Sequence, residues 1–297
     1  MGKETYVMRI AGAVFVMSTV FAFGIVAQAQ DVAFEKSYSV GNGAKLVFET
    51  GDSGLTVRSC GGCQQVHVKV MLKNIQMSEF NLVESQSGNG VNFSFKEKPH
   101  VGWHSGWHGS ERKSEVIVET PAEVSLDART SDGGLEVSGL HGEMNFRTSD
   151  GGQSLDHVSG ALKLQASDGS IKLRDCSGTL DAHSSDGGMD IAGAFTAIQL
   201  HSSDGGIKAD LSRGGNFTAE SRIESSDGGV EIVLPKNFAA ELDIHTRDGG
   251  LVSNLPIEME GYHSNHGEGH DIHGKMNGGG SLFTIHTSDG GVRLSAA

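Results

Sequence analysis

Hydrophobic and polar residues alternate over short stretches of this chain, and in its central part the same alternation returns every 18 residues. One such stretch is Leu135-Glu136-Val137, in which a polar residue separates two apolar ones. Alternation with a period of two is typical of a strand with one buried and one exposed face. The equivalent strand in five successive repeats has two predicted inward positions. The first is occupied by Leu135, Gln153, Ile171, Met189 and Ile207, and the second by Val137, Leu155, Leu173, Ile191 and Ala209.

A second alternating stretch follows in each repeat, after a glycine at Gly142, Gly160 or Gly178. No stretch beyond residue 29 shows the sustained 3.6-residue period of a helix. A fixed repeat of this kind predicts an all-β solenoid, β-helix-like or β-roll-like, with 18-residue coils and two short strands in each coil. The predicted inward residues of the second strand are Met144, Leu162, Leu180 and Ile198, then Phe146, Leu164, Ala182 and Leu200.

The repeats are separated by the phrase Ser-Asp-Gly-Gly or a close variant. We interpret it as a turn in which the aspartate accepts bonds from nearby amides and the glycines adopt positive φ. Stacked coils would also align the carboxylates in a file that Ca²⁺ could bridge, but the glycine-rich nonapeptide of calcium-binding β-rolls is absent. The predicted turn residues are Asp132, Asp150, Asp168, Asp186, Asp204, Asp227, Asp248 and Asp289.

Residues 1–29 have the pattern of a secretory signal peptide. Lys3 and Arg9 precede an apolar run from Ile10 to Val26, and small residues close the segment at Ala27-Gln28-Ala29. An uncleaved membrane anchor is the alternative, because the run is almost long enough to span a bilayer. We expect export to the periplasm, the cell surface or the extracellular space, with no membrane span once the signal is cleaved.

The chain is acidic, with a formal net charge of -14 over 297 residues. This charge argues against a nucleic acid or an anionic membrane as partner, because both need a basic surface. The pair Cys60 and Cys63 is predicted to form a disulfide across a hairpin turn, because a thioredoxin-like site would need the motif to open a helix. Cys176 falls in the apolar column Leu140, Val158, Cys176 and Ala194, which predicts a buried free thiol.

The repeated Ser-Asp-Gly-Gly unit, the strand-like runs Leu55-Thr56-Val57 and Val66-His67-Val68-Lys69-Val70, and the run from Val116 to Ala122 together resemble a bacterial family. It is a domain-of-unknown-function family of β-strand repeat proteins described as candidate adhesins. The resemblance covers about residues 45–294. It implies an exported or envelope-associated β-solenoid without known catalysis.

Two histidine-rich segments are left unexplained by the resemblance. Neutral imidazole is a good ligand for Zn²⁺, Cu²⁺ or Ni²⁺, and Glu268 and Asp271 could complete a set. The alternative is a pair of polar loops whose histidines are incidental, and no cofactor is required by the repeats themselves. The candidate metal ligands are His100, His104, His108, His263, His266, His270 and His273.

An outward column three residues before each turn aspartate is a candidate partner face, and an ordinary solvated sheet face is the alternative. The residues proposed for this face are Arg129, Arg147, His183, His201, His245 and His286.

We therefore expect a signal peptide over 1–29, an irregular β cap region over 30–120, and solenoid repeats over 121–297 with a His-rich insertion at about 256–280. The last strand, Val292 to Leu294, is expected at an open end, where end-to-end self-association could occur. The favoured function is a non-catalytic binding or adhesin-like scaffold of the cell envelope, with an envelope glycan or protein as partner. A transition-metal-binding envelope protein is the alternative. A polysaccharide-active β-helix enzyme is less favoured, since catalysis needs a unique constellation rather than identical residues on every coil.

Overall fold

The computed structural model describes residues 31–99, 112–264 and 270–297. In this part the chain is built from strands and one three-residue 3-10 helix, Met77–Glu79, so the predicted all-β class is confirmed. No helix among the described residues has the length and apolar content needed to cross a bilayer. The predicted signal peptide over 1–29 lies outside the described residues.

The strands are numbered in chain order. They are β1 (Asp31–Ser39), β2 (Ala44–Thr50), β3 (Gly54–Ser59), β4 (Gln65–Lys73), β5 (Phe80–Ser87), β6 (Gly90–Glu97), β7 (Lys113–Thr120), β8 (Val124–Thr130), β9 (Leu135–Ser138), β10 (His141–Thr148), β11 (Gln153–Asp156), β12 (Ser159–Ala166), β13 (Ile171–Ser184), β14 (Met189–Ser202), β15 (Ile207–Asp210), β16 (Ser221–Ser225), β17 (Val230–Leu234), β18 (Ala240–Thr246), β19 (Leu251–Ser253), β20 (Ile257–Ser264), β21 (His270–Met276), β22 (Leu282–Thr287) and β23 (Val292–Ala296).

Parallel strands stack in two rows that enclose one core. In the central part, equivalent residues of neighbouring strands pair directly, as Met144 with Leu162 and Leu162 with Leu180. The first row is β6, β2, β8, β10, β12, the second half of β13, the second half of β14, β16, β22 and β18. The second row is β7, β3, β9, β11, the first half of β13, the first half of β14, β15, β17, β23 and β19. We call one first-row strand with the second-row strand that follows it a rung.

The long strands β13 and β14 pass from the second row to the first without a break, and each contains 14 residues. Two separate short strands are therefore not present in these coils. In β13, the turn between the rows is replaced by a bend around Asp175, a non-glycine residue with a φ of 49°.

At the N-terminal end, the spatial order of rungs differs from the chain order. Strands β2 and β3 lie between the later rung β6–β7 and the repeat rung β8–β9. Residues 30–120, which the sequence predicts to be an irregular cap, thus contribute two rungs with the same parallel pairing as the repeats.

The C-terminal end shows the same exchange. Strand β22 lies between β16 and β18, and β23 lies between β17 and β19. The prediction that Val292 to Leu294 forms an open edge is therefore wrong, because β23 has a strand on each side. In the described part of the chain, the outermost strand of this row is β19, and β23 is its only partner.

Antiparallel strands cover most of the exposed ends. β5 pairs with β6, and β4 pairs with β7 and with β1. At the other end, β21 pairs with β18 and with β20, so the predicted His-rich insertion contains a hairpin that covers the first row. Covering a row in this way satisfies edge amides and carbonyls that would otherwise template another chain.

The core lies between the rows, and the inward columns predicted from the alternation are buried. Met144, Phe146, Leu164, Ile171 and Ile207 are all 0% exposed. The apolar column of Leu140 is confirmed at Leu140, Val158 and Cys176 but is wrong at its last member, Ala194. A register shift between Leu173 and Cys176 pairs Cys176 with Gly193, which carries Ala194 out of the core and places Phe195 inside, at 2% exposure.

The first glycine of each turn is explained by close backbone approach rather than by positive φ. A Cβ on Gly151 would lie 2.1 Å from the carbonyl oxygen of Gly133, and one on Gly169 would lie 2.1 Å from that of Gly151. The left-handed backbone expected there is instead found in the other glycine column, where Gly160 has a φ of 120°. The turn positions are therefore as predicted from the sequence, but the physical reason given for their glycines, a positive φ, is wrong.

Candidate binding faces

The outward column predicted as a partner face is continuous across the first row. Neighbouring residues pair strand to strand, and His286 and His245 follow Glu224 in reverse chain order because β22 is inserted before β18. We call this column the ladder. In spatial order it contains Glu49, Arg129, Arg147, Gln165, His183, His201, Glu224, His286, His245 and Asp271.

Most charged groups of the ladder have partners of opposite sign. Arg129 contacts Glu49 at 3.1 Å, and His201 lies 3.4 Å from Glu224. His245 contacts Asp271 on the neighbouring antiparallel strand. Imidazoles on adjacent strands also meet, with ring centroids 5.6 Å apart for His183 and His201 and 4.8 Å apart for His245 and His286. The ladder is thus an exposed strip whose charges are largely satisfied within the protein.

The structure separates two of the candidate metal ligands, His270 and His273. His270 and His273 lie three positions apart on β21, and side chains alternate between the faces of a strand, so the two project to opposite sides. His273 lies 3.1 Å from Asp243 on the same face as the ladder. His263 is on β20, where its backbone pairs with Asp271. His100, His104, His108 and His266 lie outside the described residues.

A cluster that the sequence analysis missed lies at the end of β11. Ligand atoms of Asp156, His157 and Asp175 come within 4.8 Å of one another, and all three side chains are exposed. The Arg213 guanidinium contacts the Asp175 carboxylate, so one of the two acids already has a cation partner. The positive φ of His157, 54°, is a backbone feature that the sequence pattern does not reveal.

The turn aspartates form an exposed file along one corner of the stack. From Asp150 onward, the backbone amide of each donates to a serine carbonyl on the neighbouring rung, as Asp168 does to Ser149 at 3.0 Å and Asp204 to Ser185 at 2.9 Å. Among the described residues, no carboxylate of this file accepts a hydrogen bond from a turn amide, so that part of the predicted turn chemistry is wrong. The file also lacks three metal-ligating side chains within 4.8 Å of one another; among the described residues, only Asp156, His157 and Asp175 form such a group.

The cysteines occupy two distinct settings. Cys60 and Cys63 are joined by a disulfide in the loop between β3 and β4. Cys176 is a buried free thiol, and burial raises its pKa above the ordinary range. A thiol held in its neutral form is a poor nucleophile, so Cys176 serves packing rather than chemistry.

An acidic pocket of about 620 Å³ lies near the N-terminal end of the second row. Burial together with the charges of Glu97 and Asp132 raises the pKa of the Asp52 carboxyl. Glu97 also accepts hydrogen bonds from the Asp52 amide at 3.1 Å and the Ser53 hydroxyl at 3.2 Å. Arg112 and Lys113 line the same pocket and offset part of this negative charge.

Comparison with known proteins places these strands in a described group. The sequence profile of the Toastrack DUF4097 family matches residues 44–295. A candidate cell adhesion protein from Clostridium sporogenes is 11% identical over 89% of this chain and 99% of that chain, with a TM-score of 0.29. Candidate adhesins from Bacteroides fragilis (10% identity, 89% and 96% coverage, TM-score 0.45) and Parabacteroides merdae (11%, 88% and 95%, 0.42) are also similar. No curated protein matches the chain.

Proposed function

The chain belongs to the Toastrack DUF4097 family, and we propose that it is a non-catalytic, exported scaffold that binds a glycan or protein of the cell envelope through the ladder. The observation that supports this proposal is the continuity of the ladder along the whole first row. Repetition of one side-chain position on parallel strands creates a long, flat contact strip. Such strips are what solenoid proteins use to bind extended partners.

The ladder is accessible as well as continuous. His183, His201 and His245 have side chains 50%, 43% and 48% exposed. Their ion pairs are exposed, and exposed pairs contribute only about 0–1 kcal/mol each, so a partner can replace them at small cost. Arg147 adds a cation whose only described side-chain partner is the neutral amide oxygen of Gln165, at 2.9 Å.

Sedimentation with isolated cell envelopes tests the proposal. A variant carrying Arg147→Ala, His183→Ala and His201→Ala should lose at least half of the retained protein, because it removes the ladder side chain on three of four successive strands. A control with Asp150→Asn and Asp168→Asn changes exposed charges at the corner and should be retained like the wild type. Equal retention of all three proteins, with unchanged thermal melting, would rule the ladder out as the binding face.

A further inference from the structure

The second row of strands has a groove on its outer surface, opposite the ladder. The groove has a volume of about 520 Å³, within the range of roughly 300–1,000 Å³ usual for ligand sites. It runs across the strands, from β13 through β14, β15 and β17 to β23. Its floor includes Gly188, Gly206, Gly229 and Gly291, the second glycine of successive turns.

The backbone does not require glycine at most of this floor, and only at Gly291, whose would-be Cβ lies 3.2 Å from the Gly250 carbonyl oxygen, is the space tight. A Cβ on Gly206 would lie 3.4 Å from the nearest backbone oxygen, and one on Gly229 would lie 3.5 Å away, which are ordinary contacts. Neither residue has left-handed backbone, and a serine, Ser170, lines the groove at the equivalent position. The preceding Gly205, by contrast, has a carbonyl oxygen only 2.3 Å from its would-be Cβ. At Gly206 and Gly229, glycine thus leaves the floor without side chains although the fold would admit a Cβ there.

Charged side chains of alternating sign line the groove. Their Cα atoms pair from strand to strand, so that each positive residue is followed by a negative one along the stack. In spatial order they are Lys172, Asp190, Lys208, Glu231 and Arg293, and all are exposed.

These charged side chains do not form ion pairs with one another. Within the described residues no ion pair joins any of them to an oppositely charged side chain, whereas the ladder face pairs Arg129, His183 and His201 with carboxylates. Each charge on the groove therefore remains available to a ligand. A complementary ligand would carry charges of alternating sign at the spacing of the strands.

The strand spacing selects the kind of polymer. Adjacent strands lie about 4.8 Å apart, so charges of the same sign recur about every 9.6 Å. An extended glycan with equatorial linkages advances by nearly one strand spacing per sugar. Successive sugars can therefore lie over successive strands. Side chains on one face of an extended peptide recur about every 6.8 Å, which is longer than the strand spacing. After four such repeats, the peptide side chain would lie about 8 Å beyond the fifth charged residue of the groove.

We propose that this groove binds a zwitterionic glycan in which carboxylate-bearing and ammonium-bearing sugars alternate. Lys172, Lys208 and Arg293 hold the carboxylates, while Asp190 and Glu231 hold the ammonium groups. The sugar rings lie over the bare glycine floor. Such a ligand has no net charge, so the overall charge of -14 does not repel it at long range. The groove faces away from the ladder, and its ligand does not depend on the proposed envelope binding there.

Calorimetry of the purified chain with matched hexasaccharides tests this assignment. De-N-acetylated hyaluronan has alternating carboxylates and amines, ordinary hyaluronan has the carboxylates alone, and a chitosan hexamer has the amines alone. We expect the zwitterionic hexasaccharide to bind at least tenfold more tightly than either of the others. Its affinity should fall as NaCl is raised, because exposed charge contacts are screened by salt.

Variants locate the site. Asp190→Lys combined with Lys208→Asp preserves the charge composition but destroys the alternation, and it should weaken binding at least tenfold. Gly206→Gln should also weaken binding because it fills the floor. The matched control Lys163→Glu changes a charge on the ladder face and should bind like the wild type, as should the ladder variant described above.

Several results would overturn the assignment. They are an absence of heat with all three hexasaccharides, equal binding of ordinary hyaluronan, or tighter binding of a peptide with alternating glutamate and lysine. Loss of binding in Lys163→Glu to the same extent as in the groove variants would place the site elsewhere. Thermal melting of each variant distinguishes loss of the site from loss of the fold, and envelope retention by the ladder is scored separately.

Discussion

The two glycines of each Ser-Asp-Gly-Gly turn have different physical roles. At the first position the backbones of neighbouring rungs approach so closely that no Cβ fits, as at Gly205 and Gly169. At the second position a Cβ fits, as at Gly206. In the sequence the two glycines look like a single turn signal, because composition does not show which of them lies against the backbone of the adjacent rung.

This difference predicts opposite outcomes for two adjacent substitutions. Gly205→Ala should lower the free energy of unfolding by about 1–3 kcal/mol, because backbone must shift to admit the methyl group. Gly206→Ala should be neutral or stabilising by about 0.4–1 kcal/mol, because it reduces the freedom of the unfolded chain. Urea unfolding of the two variants measures both values, and an equal loss in each would refute the distinction.

At the scale of strands, the exchanged order of the terminal rungs matters most. β23 is last in the chain but interior in the stack, whereas β19 is earlier in the chain and lies at the outer edge. An interior strand is paired on both sides and packed from both directions. Its residues should therefore contribute more to stability than those of the edge strand.

A pair of leucines tests this order. Leu294 in β23 is 1% exposed, and Leu294→Ala should cost about 2–5 kcal/mol, as is usual for a buried leucine. Leu251 in β19 is only partly buried, so Leu251→Ala should cost clearly less. Chemical denaturation gives both values. A smaller loss for Leu294→Ala than for Leu251→Ala would mean that β23 is the frayed end after all.

At the scale of the molecule, a single apolar core runs from Tyr38 to Leu294. Solenoids can unravel from their ends, but here antiparallel strands cover both ends of the first row and the N-terminal end of the second. Covering the ends raises the cost of opening the terminal rungs relative to the middle. We therefore expect the described stack to open cooperatively.

Cys176 reports on this cooperativity, because it is buried near the middle of the stack. Its alkylation in native buffer should require global unfolding, so the opening free energy from thiol labelling should equal that from urea denaturation. The raised pKa of the buried thiol adds to its protection. A labelling free energy well below the global value would show instead that central rungs open locally.

Much of the architecture follows from the residues in the chain. Alternation around Leu135 and Met144 identified the strands and their buried faces, because a period of two has one structural meaning. The sequence pattern failed where the pairing of strands departs from the regular 18-residue spacing. Ala194 is apolar and in phase with Cys176, but a register shift placed Phe195 in the core instead.

The candidate groove could not be predicted in the same way. Lys172, Asp190 and Lys208 come at regular intervals, but Arg293 joins them only because β23 is inserted beside β17. Nothing near Arg293 in the sequence signals that its neighbour is Glu231. Whether such charges pair with one another also depends on side-chain placement that periodicity does not specify.

The sequence by itself determined the all-β class, the alternating buried faces and the sites of the turns, because these depend on residues close together in the chain. The tertiary structure alone decided the order of the terminal rungs, the strands that cover the ends and the continuity of the two outer faces. These depend on which distant strands meet, and parallel strands with similar apolar faces can satisfy their backbone hydrogen bonds in more than one order.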